Sequence, residues 1–261
     1  MGKTDLGDPD DLEGARRDPG APRHPHVLDE LRSGTTKSLN AALIEQLRAD
    51  LLRGIIAPNI KLKIPDICAR YGVSPGVARE ALSRLVPEGL IDFTDQRGFR
   101  TPPLTAAGVR DITRARLLIE REAMIDAMRH GTDEWEADII AAQHRLQSTE
   151  RGTPENFAET DEFSLRHREF HRALIAACTS PWLIRMHNML YDQTERYRFI
   201  AARNGNRATG RRRAISNEHS DIAQAVINRD EVTALQLMED HLKRTADRAL
   251  AAAAFAGTPG L

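Results

Sequence analysis

A tight turn at Gly72, followed at once by a Ser-x-helix start with proline, constrains this chain more than any other feature. Residues 64–100, IPDICARYGVSPGVAREALSRLVPEGLIDFTDQRGFR, read as a short helix over 65–70, a turn at Tyr71-Gly72 and a second helix. Gly72 supplies the turn, Ser74 suits an N-cap, and Pro75 falls at the first helical position, where its missing N–H is no loss. From there Val77, Ala78, Ala81, Leu82 and Leu85 recur at three- and four-residue spacing and make one apolar face. Arg79, Glu80, Ser83 and Arg84 take the opposite face. Helix, turn and a helix with a basic outer face form the helix-turn-helix pattern, whose second helix enters the DNA major groove. Behind it, Leu90-Ile91-Asp92-Phe93 and Arg97-Gly98-Phe99-Arg100 flank a polar turn and read as a two-stranded hairpin. Arg97 and Gly98 put a cation beside a residue that lets backbone come close to a phosphate. A solvated polar face would explain an isolated helix pair as well; the hairpin placed directly after it favours DNA binding.

At 261 residues the chain can bury one large or two modest cores. The formal net charge is −1, so any attraction to nucleic acid must be local. Between Thr36 and Pro103, ten Lys/Arg stand against seven Asp/Glu, a local charge of +3, which is consistent with a DNA-binding module. Cys68 and Cys178 each sit in an apolar helical pattern and read as buried thiols of a reducing compartment. No apolar run approaches the roughly 20 residues of a membrane span, and no apolar signal core opens the chain, so the expected location is the cytoplasm.

In chain order, residues 1–36 are rich in Gly, Pro and charge and are expected to be a disordered tail. A winged-helix domain is expected over 37–104, an all-helical domain over 105–255, and a short tail over 256–261. The whole is therefore mainly α. Within the first domain a helix with the stripe Leu43, Ile44, Leu47, Leu51 and Leu52 ends at Gly54, and IIAPNIKL reads as a linker. Residues 38–101 resemble the winged-helix domain of the GntR family of bacterial transcription regulators. The matching elements are L-x-x-G from Leu51 to Gly54 and L-x-x-x-x-x-A from Leu62, with Cys68 in place of the alanine. Further on come V-S-x-x-x-x-R-E-A-L from Val73 to Leu82, R-L-x-x-E-G-L from Arg84 to Leu90, and R-G-F from Arg97. The resemblance implies that Ser74 caps the recognition helix, that Arg79 and Arg84 on it face DNA, and that Arg97 and Gly98 form the wing tip. Pro75 and Gly76 depart from the usual family residues, and Pro87 should end or kink the helix.

Six helices are expected after residue 104, near 105–130, 132–149, 155–178, 181–204, 209–228 and 231–254. Their separators are Gly, Pro, Asn and Asp positions. The third carries Phe163, His167, Phe170, His171, Leu174 and Cys178 on one face, so His167 and His171 project from one side, one turn apart. The fifth carries Ile215, His219, Ile222 and Val226, and the sixth Ala234, Met238, His241 and Thr245. Eleven residues separate His219 from Asp230 and another eleven separate Asp230 from His241. An antiparallel hairpin turning at Asp230 would set both histidines about 16 Å from the turn, level with one another. Four imidazoles can then converge on one metal ion, or form a hydrogen-bonded polar cluster in the core. His144 and His187 fall outside this pattern and read as surface or packing residues.

The segments DITRARLLIEREAMIDAM and HREFHRALIAACTSPWL resemble the FCD ligand-binding domain, found in the GntR branch named after the fatty-acid regulator. That resemblance implies a metal held by an Asp and a His four residues apart and by two later histidines. His171, His219 and His241 fall on the histidine positions, while His167 stands where the Asp is usual. An all-nitrogen set favours Zn or Ni over Mn or Mg. Arg116 falls where the family places an effector-contacting arginine, and a salt bridge to Glu120 is the alternative. Tyr197 and Arg198 are further candidates. The function implied is a homodimeric DNA-binding regulator, in the repressor sense, modulated by a small organic acid bound at the metal. A metal-dependent hydrolase and a sensor of the ion itself are the other readings. Glu169, two residues from each of His167 and His171, lies off their face, which argues against a general base there.

Overall fold

The computed structural model describes residues 36–152, 160–204 and 211–255. The expected tails lie outside the described residues except for Thr36. The chain begins with α1 (Thr36–Leu52), β1 (Lys61–Leu62), α2 (Ile64–Tyr71), α3 (Pro75–Leu85), β2 (Asp92–Thr94) and β3 (Gly98–Arg100). Gly72 caps α2 in the left-handed conformation at φ 67°, where its N–H reaches the Cys68 carbonyl. Ser74 holds the N-cap position of α3 with extended backbone, but its hydroxyl makes no capping bond. The helix stops at Leu85, before Pro87, as the ring demands.

Three strands form this sheet rather than two. Their order is β1-β3-β2, all antiparallel, with Leu62 opposite Phe99 and Phe93 opposite Phe99 on the other side. The third strand comes from the stretch expected to be a linker, and at two residues it is too short to show an alternation. Leu43 and Leu47 of α1, Ala78, Ala81, Leu82 and Leu85 of α3, and Leu90 after it are fully buried in one core. Burial of each leucine stabilises by about 1.5–3 kcal/mol. Asp50, also buried, accepts a 2.6 Å hydrogen bond from the Tyr71 hydroxyl and ties α1 to α2.

Six helices follow: α4 (Ala106–His130), α5 (Asp133–Gly152), α6 (Asp161–Leu174), α7 (Pro181–Asn204), α8 (Arg211–Ile227) and α9 (Glu231–Phe255). Thr105 caps α4 by accepting from the Gly108 N–H, and Thr160 caps α6 by accepting from Phe163. Residues 153–159, where the third expected helix begins, lie outside the described residues. Its C-terminal end is earlier than expected, at Leu174, because residues 175–178 form hydrogen-bonded turns instead. A second core gathers Met124, Ile139, Leu146, Phe170, Leu174, Ile222, Val226 and Leu242 from α4, α5, α6, α8 and α9. Cys178 is buried, Cys68 is partly exposed, and both are free. No helix among the described residues is long and apolar enough to cross a membrane.

The two parts meet along α7. The Gln193 side chain donates to the Glu88 carbonyl at 2.7 Å, and Arg196 donates to the Pro102 carbonyl at 3.3 Å. Nearby, Arg53 after α1 pairs with Asp161 at the start of α6, 2.8 Å apart.

Candidate metal centre and nucleic-acid face

Histidine is a poor choice for an apolar helix face unless something meets its ring nitrogens. In α6 the spacing of four puts His167 and His171 one above the other, with ring centroids 4.5 Å apart. The α8–α9 turn brings His219 and His241 level, as the equal spacing implies, with centroids 4.9 Å apart. Arg229 adopts φ 57° in that turn, and Asp230 caps α9 through its carboxylate and the Thr233 N–H. His167 also lies 5.0 Å from His219, and His171 5.3 Å from His241. All four are buried, and one ligand atom from each lies within 4.8 Å of the others.

The protonation state of the cluster, rather than its field, suits a metal ligand set. Burial, followed by the neighbouring positive charges and imidazoles, drives the pKa of His167 and His171 well below the ordinary value of 6.5. Burial lowers His241 to about 4 even against the pull of Glu218. Neutral imidazoles keep a lone pair for a metal. Both ring nitrogens of His171 lack a hydrogen-bond partner, a state that costs on the order of 1–3 kcal/mol per polar group unless a ligand meets it. The donor set therefore fits a divalent ion. Glu169 pairs outward with Arg166 and Arg145, off the face of the cluster.

Around the imidazoles lies a layer of polar side chains. Tyr191 of α7 meets His167 Nδ1 at 2.6 Å, and Arg198 approaches that same nitrogen and the Tyr191 hydroxyl, each at 3.3 Å. Glu218 Oε2 lies 3.0 Å from His241 Nδ1. Although burial opposes its charge, the His241 bond and the Arg248 and Arg244 guanidiniums keep the Glu218 carboxyl below its ordinary pKa. Arg116 is buried and donates through Nε to Glu120 Oε1 at 2.9 Å, with Nη2 on the same oxygen. It also borders a narrow cavity of about 10 Å³ between α4, α7 and α9, beside Val109, Thr113, Thr194, Tyr197 and Arg198.

His187 was expected to be a surface or packing residue, and it is neither exposed nor apolar in its surroundings. It is 1% exposed, its ring nitrogens make no hydrogen bond, and its Nδ1 lies 3.6 Å from Glu120 Oε1. Burial lowers its pKa to about 4. The spacing of Ile184, His187 and Tyr191 along α7 carried that signal. His144 is exposed. In the winged helix, Ser74, Arg79, Arg84 and Arg97 are exposed, and Gly98 follows Arg97 at φ 71°. Arg84 approaches Glu80 at 3.8 Å, one turn away on α3.

Comparison with known proteins meets both halves. Residues 39–100 match the sequence family described as bacterial regulatory proteins, gntR family, and residues 111–244 match the FCD domain. The chain is 35% identical over 208 residues to the HTH-type transcriptional regulator BphR of Paraburkholderia xenovorans, covering 79% of this chain and 83% of that one. It is 36% identical over 196 residues to the HTH-type transcriptional repressor GlaR of Escherichia coli, covering 75% and 89%. The structure is similar to that of E. coli McbR/YncC, with a TM-score of 0.66 at 18% identity over 81% of this chain and 97% of that one. At that identity the likeness establishes the shared fold. The winged helix and the histidine-bearing bundle are thus matched in one continuous relationship, and the chain belongs to the gntR family of DNA-binding transcription regulators, with an FCD domain as its second half.

Proposed function

We propose that the chain is a homodimeric repressor of the cytoplasm whose operator affinity is set by a small carboxylate held beside a divalent metal ion, Zn or Ni. The observation that carries this reading is the convergence of four buried imidazoles, one of them met by Arg198, which with Arg116 borders a cavity. His167, His171, His219 and His241 would hold the ion. When bound, the ion would supply a concentrated positive charge with room for an anionic ligand. Four imidazoles contribute no negative charge, so the site would retain a stronger pull on a carboxylate than one built with an Asp. Arg116 is engaged with Glu120, and Arg198 is better disposed to meet the ligand first; a planar guanidinium can pair with a carboxylate through two hydrogen bonds.

At the other end of the molecule, Arg79 and Arg84 on α3 would face the major groove, Ser74 a phosphate, and Arg97 with Gly98 the neighbouring backbone. A second copy would supply the other half-site. Trp182, Met186 and Met189 recur along one face of α7, with Trp182 65% exposed, and we assign that face to the dimer contact. Coupling would run through α7 itself. Tyr191 and Arg198 touch His167, while Gln193 and Arg196, on the same helix, hold the carbonyls of Glu88 and Pro102. A ligand that draws Arg198 away would act on the helix that grips the DNA head, provided it prefers one of two head arrangements.

Elemental analysis of protein purified without a tag or chelator should find about one Zn or Ni per chain. Titration of short-chain carboxylates against an operator recovered by selection from random duplexes should then shift the DNA affinity of the loaded protein. A loaded protein whose affinity responds to no carboxylate, but changes on metal removal, would make the ion itself the signal. Metal-free protein that takes up neither ion would leave the imidazoles as a polar core cluster.

A further inference from the structure

The carboxylates behind the imidazoles have a direction that the imidazoles alone lack. An ionised carboxylate can only accept hydrogen bonds. Glu218 Oε2, 3.0 Å from His241 Nδ1, therefore requires the proton of that ring to sit on Nδ1. The lone pair then lies on Nε2, on the far side of the ring. Glu218 is itself held from behind, with Oε1 3.0 Å from Arg244 Nε and 3.6 Å from Arg248 Nη2. Glu120 does not repeat the arrangement, for no ring nitrogen of His171 makes a hydrogen bond. Its Oε1 takes the Arg116 guanidinium, and its Oε2 lies 3.9 Å from His171 Nδ1. Glu218 thus stands between two arginines and the Nδ1 side of a clustered histidine.

We propose that Glu218 is a positioning residue for the metal centre, fixing the His241 tautomer that leaves Nε2 free for the ion. This rests on the metal reading above. It also accounts for a largely buried carboxylate beside a site that needs no further negative ligand, since Glu218 is neutralised by Arg244 and Arg248.

The test is Zn affinity measured by competition with a chromogenic chelator, on the full chain, for wild type, Glu218→Ala and Glu218→Gln. Glu218→Ala should bind Zn about 10- to 100-fold more weakly, with Glu218→Gln between the two, because an amide oxygen can still accept from Nδ1. Melting of the metal-free forms in excess chelator separates positioning from a merely structural role. The positioning role predicts metal-free melting temperatures close to wild type and a smaller rise on adding Zn. Unchanged Zn affinity in Glu218→Ala, or an affinity loss matched by an equal loss of metal-free stability, overturns the proposal while leaving the metal site intact. A wild-type chain that binds no Zn removes the metal site and this inference together, a different and recognisable result.

Discussion

Acid should unfold the metal-free protein earlier than its carboxylates alone would dictate. Burial lowers His187 and His241 from 6.5 to about 4. As pH falls through 6.5, the unfolded chain takes a proton on each of these rings, whereas the folded chain takes none until about pH 4. The unfolded state therefore binds more protons in that window, and stability falls as pH falls. At one pKa unit per 1.36 kcal/mol, each ring removes about 2 kcal/mol between pH 6.5 and pH 5. The pair removes about 4 kcal/mol, and His167 and His171, also lowered by burial, act in the same direction. Against a total of about 5–15 kcal/mol for a domain, this is a large share. Urea unfolding in excess chelator, at pH 7 and pH 5, should show the midpoint move down by well over 1 M, given a slope of about 1–3 kcal/mol/M. Above pH 5, carboxylates with ordinary values of about 4 contribute little. His187→Phe should remove about 2 kcal/mol of the difference between the two pH values, whatever it does to stability at pH 7. A midpoint that is the same at both values would refute the claim that these rings are held neutral by burial.

The remaining predictions concern the two ends of the molecule separately. Arg79→Ala should weaken operator binding by about 1–3 kcal/mol in an anisotropy titration, with metal content by elemental analysis unchanged. His219→Ala should abolish or sharply lower bound Zn and the melting-temperature rise that Zn produces, while the winged helix keeps its non-specific DNA affinity. Trp182→Asp should shift the protein from dimer to monomer in sedimentation, since it places a charge in the face assigned to the partner copy; a dimer of unchanged strength would send that interface elsewhere.

Local chemistry explains why some of this was readable from residues alone. Gly72 and Pro75 dictate backbone geometry within a few positions, so the turn and the start of α3 stand where spacing put them. His167 and His171 share a face by helical repeat, and the equal distance of His219 and His241 from Asp230 set their level. Other features depend on contacts between distant segments. Glu218 meets His241 only because α8 and α9 fold back on one another, and no pattern within α8 marks that glutamate as different from any polar residue. β1 is two residues long and exists because Phe99 offers an edge to Leu62. His187 had a readable place on the α7 stripe, but its neighbour Glu120 lies on α4, and the pairing of those helices is a tertiary fact. Tyr191, rather than Tyr197, reaches His167 for the same reason.

The four histidines come from three helices, one of which lies well before the other two along the chain. His171 and His219 are separated by 48 positions, and His219 and His241 by 22. An ion bonded to all of them would close two loops in the backbone, much as a cross-link does, in a chain whose two cysteines are both free. Loop closure restricts the unfolded ensemble more as the loop lengthens, though only logarithmically. Ion loss would therefore open a topological clasp as well as empty a binding site. Segments between residues 171 and 241 should then exchange amide hydrogens and admit proteases faster, while the winged helix, outside both loops, keeps its own rate.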